Sequence, residues 1–430
     1  MNVNSGYYPE LVALYRYLRI PFSPSRFSLS FARSPPSNTR SAGPVPELVY
    51  NGMHQGFGMT QPGKTSKVGA IWTVFVTVWS YLVLHVLAWY HVTLGHTRSQ
   101  AHSLANMTFG DWCAKTWIAR SFLENLLIPM FCSIMTTDAT VVRDMPAAEI
   151  LDYIAHAFSK DHSTVSGGVS QVVEALLQPI LPNSVHVNVS INDVCAEGDS
   201  NERVCLHVAD HGTGRAFSKT YHHVVFSMQT SQSARLLQRY LDHLKTRFDA
   251  SAAVQHVDNV INHLKQLRYD KSEVICHTDT SILPPNPLNW RDLNFVSAHP
   301  CDVSRTMATH IIWRQPGMAI MQTTNPLPWL MPNSSQRISQ STFERFVLTL
   351  RGRDARRAFF DINARPCLGR LQGCIAPQAA NIWVNGSWSY GVPLLEGLCY
   401  CFPDLTQDVL PAPGSWLPKF LPKNTSLPVT

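Results

Sequence analysis

Between Val68 and Leu94 the chain reads VGAIWTVFVTVWSYLVLHVLAWYHVTL, 27 residues without Asp, Glu, Lys or Arg. A run of that length predicts a helix able to cross a bilayer, which takes ~20 apolar residues. Lys64 and Lys67 precede it, Arg98 follows, and Trp72, Trp79, Trp89 and Tyr90 suit interfacial positions. The positive flank puts the N-terminal side in the cytoplasm. A helix buried in a large domain, or lying against a membrane surface, gives the same pattern. His85 and His91, with β-branched and aromatic neighbours, keep that alternative open.

Elsewhere the periodicities are those of a mixed fold. Residues 20–66 read as loop, because Pro21, Pro24, Pro35, Pro36, Pro44, Pro46 and Pro62 fall among Ser, Asn and Gly. Thr108 with Asp111 three residues on predicts a helix N-terminus, and AAEILDYIAHAF after Pro146 a second helix. TVSGGVSQVVEALLQPIL from Thr164 is a Gly-Gly turn feeding an amphipathic helix with apolar residues at 169, 172, 173, 176 and 177. VHVNVSINDV alternates with period two, VCLHVAD and HHVVFSM extend a strand-rich block, and HGTG at 211–214 makes a turn. SQSARLLQRYLDHLKTRF is helical, and strands return in HTDTSILPP, MATHIIWRQ and MAIMQTTNP. This succession predicts a two-domain α+β enzyme without internal repeats.

Composition narrows the class. Charged residues make up 15% of the 430 and hydrophobic ones 45%, which excludes disorder, coiled coil and collagen. The net charge of +6 is scattered rather than gathered into a basic stripe with interleaved aromatics, so no nucleic-acid partner is expected. The ten cysteines form no CxxC pair and no His/Cys spacing suited to zinc, so they read as small buried hydrophobes and no metal is expected. GxSxG, a Walker A loop, HExxH and an EF-hand loop are all absent. The strings HVAD (207–210) and HPCD (299–302) lack the HxxxD spacing of acyl-CoA-dependent transferases, and their histidines read as ordinary strand or loop residues. Sequons begin at Asn106, Asn188, Asn333, Asn385 and Asn424; placing Asn188 and Asn385 in buried strands puts the main body on the cytoplasmic side of a membrane-associated protein.

Four stretches in order carry a resemblance: TVSGGVSQVVEALL (164–177), YHHVVFSMQTSQSARLL (221–237), EVICHTDTSILPPNPLNWRDLNF (273–295) and IWVNGSWSYGVPLLEG (382–397). Together the four resemble the FAD-dependent amine-oxidase-like oxidoreductases, in the branch of bacteria and fungal metabolic clusters. The resemblance implies an α+β or α/β protein in which an incomplete FAD-binding Rossmann-type domain is interleaved with a substrate domain of mixed sheet plus helices. Its segments would be 1–163 (substrate part, with the apolar run), 164–272 (FAD part), 273–370 (substrate strands) and 371–430 (FAD part and tail).

By the same resemblance the FAD contacts fall on Gly386, Ser387, Tyr390, Gly391, Glu396 and Gly397, with the backbone of Ile191 beside the adenine. A glycine at 386 would let the backbone approach the cofactor, and a helix opening near Glu396 would aim N–H groups at its negative charge. In such enzymes flavin N5 accepts a hydride and protein groups mainly orient and shield. No general base is therefore assigned. His277, Asp279 and Trp290 lie in the matched substrate stretch but serve equally as a strand-end hydrogen bond and a packed indole. The substrate would be a hydrophobic small molecule or secondary-metabolite intermediate reached at a membrane. The family's strand–GxGxxG–helix does not precede Tyr7 and nothing later replaces it. The chain thus looks like the family without its first ~60 residues, on the scale of a βαβ unit plus flank. The alternative is a non-catalytic, membrane-associated relative that no longer binds FAD. Val392, Pro393 and Leu394 stand where relatives often carry a His or an acid.

Overall fold

The computed structural model describes residues 2–4, 6–25, 27–35, 46–51, 67–157, 162–198, 203–247, 252–299, 304–315, 318–362 and 381–389. Two compact units share the chain: Met1–Ser23, Ser163–Leu267 and Arg351–Thr430 form the first, and Pro24–His162 with Arg268–Leu350 the second. The expected segments broke after 163, 272 and 370 and gave 1–23 and 351–370 to the substrate half. Both of those stretches group instead with the first unit.

The chain opens in the first unit with β1 (Asn2–Asn4), α1 (Pro9–Tyr17) and β2 (Phe22–Ser25). Pro9 suits the first helical turn, where an N–H would lack an intrahelical acceptor. Leu11 and Tyr15 pack with Ile20, Val165 and Val172.

Next, in the second unit, come β3 (Leu29–Arg33), β4 (Glu47–Asn51), α2 (Lys67–Thr93), α3 (Phe109–Ala114), α4 (Arg120–Phe122), α5 (Ile128–Met135), α6 (Ala139–Asp144) and α7 (Ala147–Ala157). The expectation that 20–66 is loop fails at β2, β3 and β4. Phe31 and Ala32 are buried in β3 because that strand completes a sheet with partners about 264 positions away, which no local pattern announces. Thr108 caps α3 as its spacing with Asp111 foretells: Oγ1 accepts from the Asp111 N–H at 3.1 Å and donates to its carboxylate at 2.8 Å.

Helix α2 buries only a narrow stripe, Ser80, Leu84 and Ala88, at the four-residue spacing of one helix face. It packs against α7, and Ser80 Oγ accepts from the Ala119 N–H at 3.1 Å. Around the remaining circumference Ile71 is 70% exposed, Trp72 64%, Val86 62% and Trp89 64%. Among the described residues α2 is long and apolar enough to cross a membrane.

The first unit resumes with β5 (His162–Val165), α8 (Gly168–Leu177), β6 (Val189–Glu197), β7 (Arg203–Asp210), β8 (Ala216–Tyr221), β9 (His223–Ser227), α9 (Thr230–Arg247) and α10 (Ala252–Leu264). Strand β5 lies between β1 and β2, and β6, β7 and β8 form an antiparallel meander. Helix α9 packs on β6 and on α10. HGTG is the β7–β8 turn, held by the Asp210 carboxylate, which accepts from Gly212 N at 2.8 Å and Thr213 N at 3.2 Å. Helix α8 forms where its pattern foretells it, and one expectation, on Asn188, changes. Of the apolar face of α8 only Val172 is buried. Asn188 precedes β6 rather than lying inside a buried strand: it is exposed, with φ of 57°, so the localisation argument drawn from its sequon loses that support.

On its return the second unit adds β10 (Arg268–His277), β11 (Leu293–Ser297), β12 (Thr306–Gln315), β13 (Met318–Thr324) and β14 (Arg337–Val347). They complete a seven-stranded sheet of order β14-β10-β13-β12-β11-β3-β4, in which β11 with β3 is the parallel pair. HTDTSILPP, expected as a strand, contributes only His277; the Asp279 carboxylate then turns the chain, accepting from Ser281 N at 2.9 Å and Asn333 N at 2.7 Å. Trp290 Nε1 donates to the Pro284 carbonyl at 2.7 Å, as a packed indole does. The chain closes, within the described residues, with α11 (Leu350–Ile362) and β15 (Asn381–Asn385). The whole is an α+β fold.

His277 is fully buried, with Nε2 2.7 Å from Thr323 Oγ1, which lies 2.9 Å from Thr309 Oγ1. Burial lowers the pKa of this imidazole from 6.5; Asp279 pulls it upward and Arg337 adds to the depression. The unfolded chain takes up this proton near the ordinary value and the folded chain only at lower pH. Stability is therefore complete above about 6.5 and falls as the pH drops towards the depressed folded value. Thermal melts of His277→Gln across this range are expected to show a shallower acid-side loss of Tm than wild type. Parallel curves would rule out this burial as a source of acid sensitivity.

Candidate functional site

Strands β9 and β15 are paired in parallel, Val224 opposite Ile382 through Ser227 opposite Asn385, so they end at the same level. In open parallel sheets the crevice beyond the carboxyl ends of strands is where ligands bind. From Ser227 the chain passes through Met228 and Gln229 into α9; from Asn385 it folds into a tight turn, Ser389 N–H donating to the Gly386 carbonyl at 3.0 Å. The Asn385 side-chain oxygen accepts from Gly386 N at 2.7 Å and Ser389 Oγ donates to the Gly386 carbonyl at 2.7 Å. Helix α11 closes on this turn, Arg356 donating to the Trp388 carbonyl at 3.3 Å.

Helices α9 and α11 and strand β15 carry buried donors. Arg353 and Arg356, one turn apart on the same face of α11, are 3% and 4% exposed. Arg353 binds Asp354 at 2.9 Å through one terminal nitrogen, while its Nη1 has no hydrogen-bond partner among the described residues. Asn385 Nδ2, Trp383 Nε1 and the Ser233 hydroxyl are likewise buried and without a partner among the described residues. A buried guanidinium with an unmet N–H is costly unless an acceptor meets it. The chemistry that satisfies this set is an oxygen-rich anion, because guanidinium, amide and indole N–H groups all donate. On α9, which follows β9, and the end of α10, an open cavity of about 510 Å³ is lined by residues that include Thr230, Arg235, Arg239 and Lys265, a positively charged wall.

The residues expected at a flavin site fall unevenly on this geometry. Gly386 is buried and Ser387 half-buried in the turn, while Ile191 sits on β6 opposite Val208 in the meander. Tyr390, Gly391, Glu396 and Gly397 lie outside the described residues. The need for glycine at 386 has a cause within the protein. A Cβ there would stand 2.3 Å from Trp388 Nε1 and 3.1 Å from the Met228 carbonyl, so the indole takes up the space a cofactor was expected to approach. The sequence analysis gives Arg353 and Arg356 no role and Asn385 only a sequon in a buried strand, where the structure does place it. The signal in LRGRDARRAF is its spacing: Arg353 and Arg356 share a face with Ala355 and Gly352 nearby, small residues that let a helix pack closely.

A second grouping lies in the β6–β8 meander, where Cys195, Cys205 and His207 bring their ligand atoms within 4.8 Å of one another. His207 lies on strand β7 and Cys205 is buried, as the sequence leads one to expect, and the strand pairing adds a proximity that no short spacing announces. Their sequence signal is symmetry about the β6–β7 turn rather than any CxxC spacing. No protein-family model matches the chain, and no curated protein matches it.

Proposed function

We propose that the first unit binds a flavin dinucleotide, FAD, at the ends of β9 and β15, and that the protein is a membrane-associated, amine-oxidase-like oxidoreductase of a hydrophobic small molecule. The observation that carries this reading is the buried Nη1 of Arg353, unpartnered among the described residues, on the helix whose Arg356 reaches the turn that follows β15. The donor set fits a diphosphate: Arg353 and Asn385 Nδ2 would hold its oxygens, and Arg235, Arg239 and Lys265 would favour the approach of a polyanion. When bound, the isoalloxazine ring supplies hydride acceptance, and the chain's own groups orient it and exclude water. The in-order resemblance of four stretches names the class, and the exposed apolar surface of α2 supports a substrate drawn from a membrane.

One observation favours the alternative, a membrane-associated relative without flavin: the Trp388 indole lies against the backbone of Gly386. Flavin content separates the two. Full-length protein purified in mild detergent is expected to release FAD on denaturation. Arg353→Met, which keeps the length of the side chain without its donors, is expected to retain about a tenth of that content or less, the loss of one charge-assisted contact. Protein that carries no flavin when expressed with excess riboflavin would favour the alternative.

A further inference from the structure

The meander β6–β7–β8 places chemistry on one face that the flavin reading does not use. Cys195 on β6 and Cys205 on β7 are direct partners in the register, and Asp193 and His207 are the next pair along the same face. Cys195 Sγ lies 3.5 Å from His207 Nε2. On the next strand Ser218, opposite His207, places its Oγ 2.7 Å from Nδ1. When the hydroxyl accepts from Nδ1–H, the Nε2 lone pair is left facing the sulfur. That is the arrangement of a metal-ligating histidine, whose second nitrogen is held by an outer partner. Both cysteines are free thiols.

We propose that Cys195, Cys205 and His207 form a binding site for a soft divalent cation of the zinc class. Thiolate and imidazole are the ligand types such ions select. A tetrahedral zinc with Zn–S of ~2.3 Å and Zn–N of ~2.0–2.1 Å holds sulfur and nitrogen about 3.6 Å apart, close to the spacing already present. Burial and the neighbouring Cys205 push the Cys195 thiol up to about 11, so without metal it is a neutral S–H rather than a reactive thiolate. On binding, each thiol gives its proton to solvent and the two sulfurs become anionic ligands, which makes affinity rise with pH. Asp193 is engaged by His243 Nε2 at 2.9 Å, and the fourth position falls to water on the partly exposed face. The ion would pin β6 to β7 across their register.

Cobalt(II) is a suitable probe, because thiolate ligation gives it a near-ultraviolet charge-transfer band. The reduced, metal-stripped, full-length protein in detergent is expected to take up one such ion with that band, and Zn²⁺ is expected to displace it. Cys195→Ser and His207→Ala are expected to lower affinity by on the order of a hundredfold or more, and Ser218→Ala by about tenfold, the outer-partner effect. Cys276→Ser is expected to change nothing. The imidazole group His91, His96 and His102 can also gather an ion, but it gives no thiolate band, so His96→Ala is expected to leave the signal intact. Absence of the band in reduced wild type would overturn the proposal. So would its survival in Cys195→Ser, or a Cys195–Cys205 disulfide that blocks alkylation even under strong reductant.

Discussion

Arginine at both Leu82 and Val86 is expected to move the protein out of the carbonate-resistant membrane fraction. The two positions lie at the middle of the Ile71–Thr93 span and are 51% and 62% exposed. An arginine at the centre of a spanning helix costs roughly 2.5–3.5 kcal/mol, so the pair opposes insertion by about 5–7 kcal/mol. At 1.4 kcal/mol per tenfold this is a factor of at least about 10³. The buried stripe Ser80, Leu84 and Ala88 is untouched, so the packing of α2 on α7 survives the change. That separates a membrane role from a core role. A double variant that pellets as wild type does, or a wild type that carbonate strips, would show that α2 does not span.

Trp388→Ala is expected to be the most damaging single truncation in the first unit. The indole is 1% exposed, donates to the Met228 carbonyl at 3.3 Å, and fills the space beside Gly386. The main-chain carbonyl of residue 388, which accepts from Arg356, is kept in the variant, so the loss is that of the side chain. Removing a buried tryptophan costs about 3–5 kcal/mol through lost contacts and a residual cavity. For a unit of this size that lowers Tm by roughly 6–20 °C. The loss is a large share of the ~5–15 kcal/mol that holds an ordinary domain folded. Differential scanning of the detergent-solubilised variant checks it; a fall under about 2 °C would mean that the turn is not held by this side chain. Gly386→Val meets the same indole, so loss of flavin in that variant would reflect a broken turn as readily as a blocked cofactor.

What the sequence made legible was what local physics controls. The uncharged run became α2, the Thr108–Asp111 spacing became a cap, and HGTG became the β7–β8 turn. Strand β3 was hidden because its neighbours are prolines and its sheet partner, β11, is remote; burial of Phe31 and Ala32 is decided by that pairing. The strand ending in a glycine turn at Asn385–Gly386 was legible as well. The charge of the candidate site was not legible: in a helix as rich in arginine as α11 the signal is the three-residue spacing of Arg353 and Arg356 beside small residues, and spacing alone does not say which face is buried. Cys195 and Cys205 escaped a search for short metal spacings for the same reason: cross-strand partners are set by the turn between them.

Direct titration of FAD into flavin-free, full-length protein, followed by quenching of flavin fluorescence, tests the central claim. Saturable binding of one FAD per chain is expected, weakened about tenfold or more in Arg353→Met, with riboflavin, which lacks the diphosphate, bound poorly by both. Wild-type protein that is folded by its thermal melt yet shows no saturable quenching, or Arg353→Met that binds FAD as tightly as wild type, would contradict it.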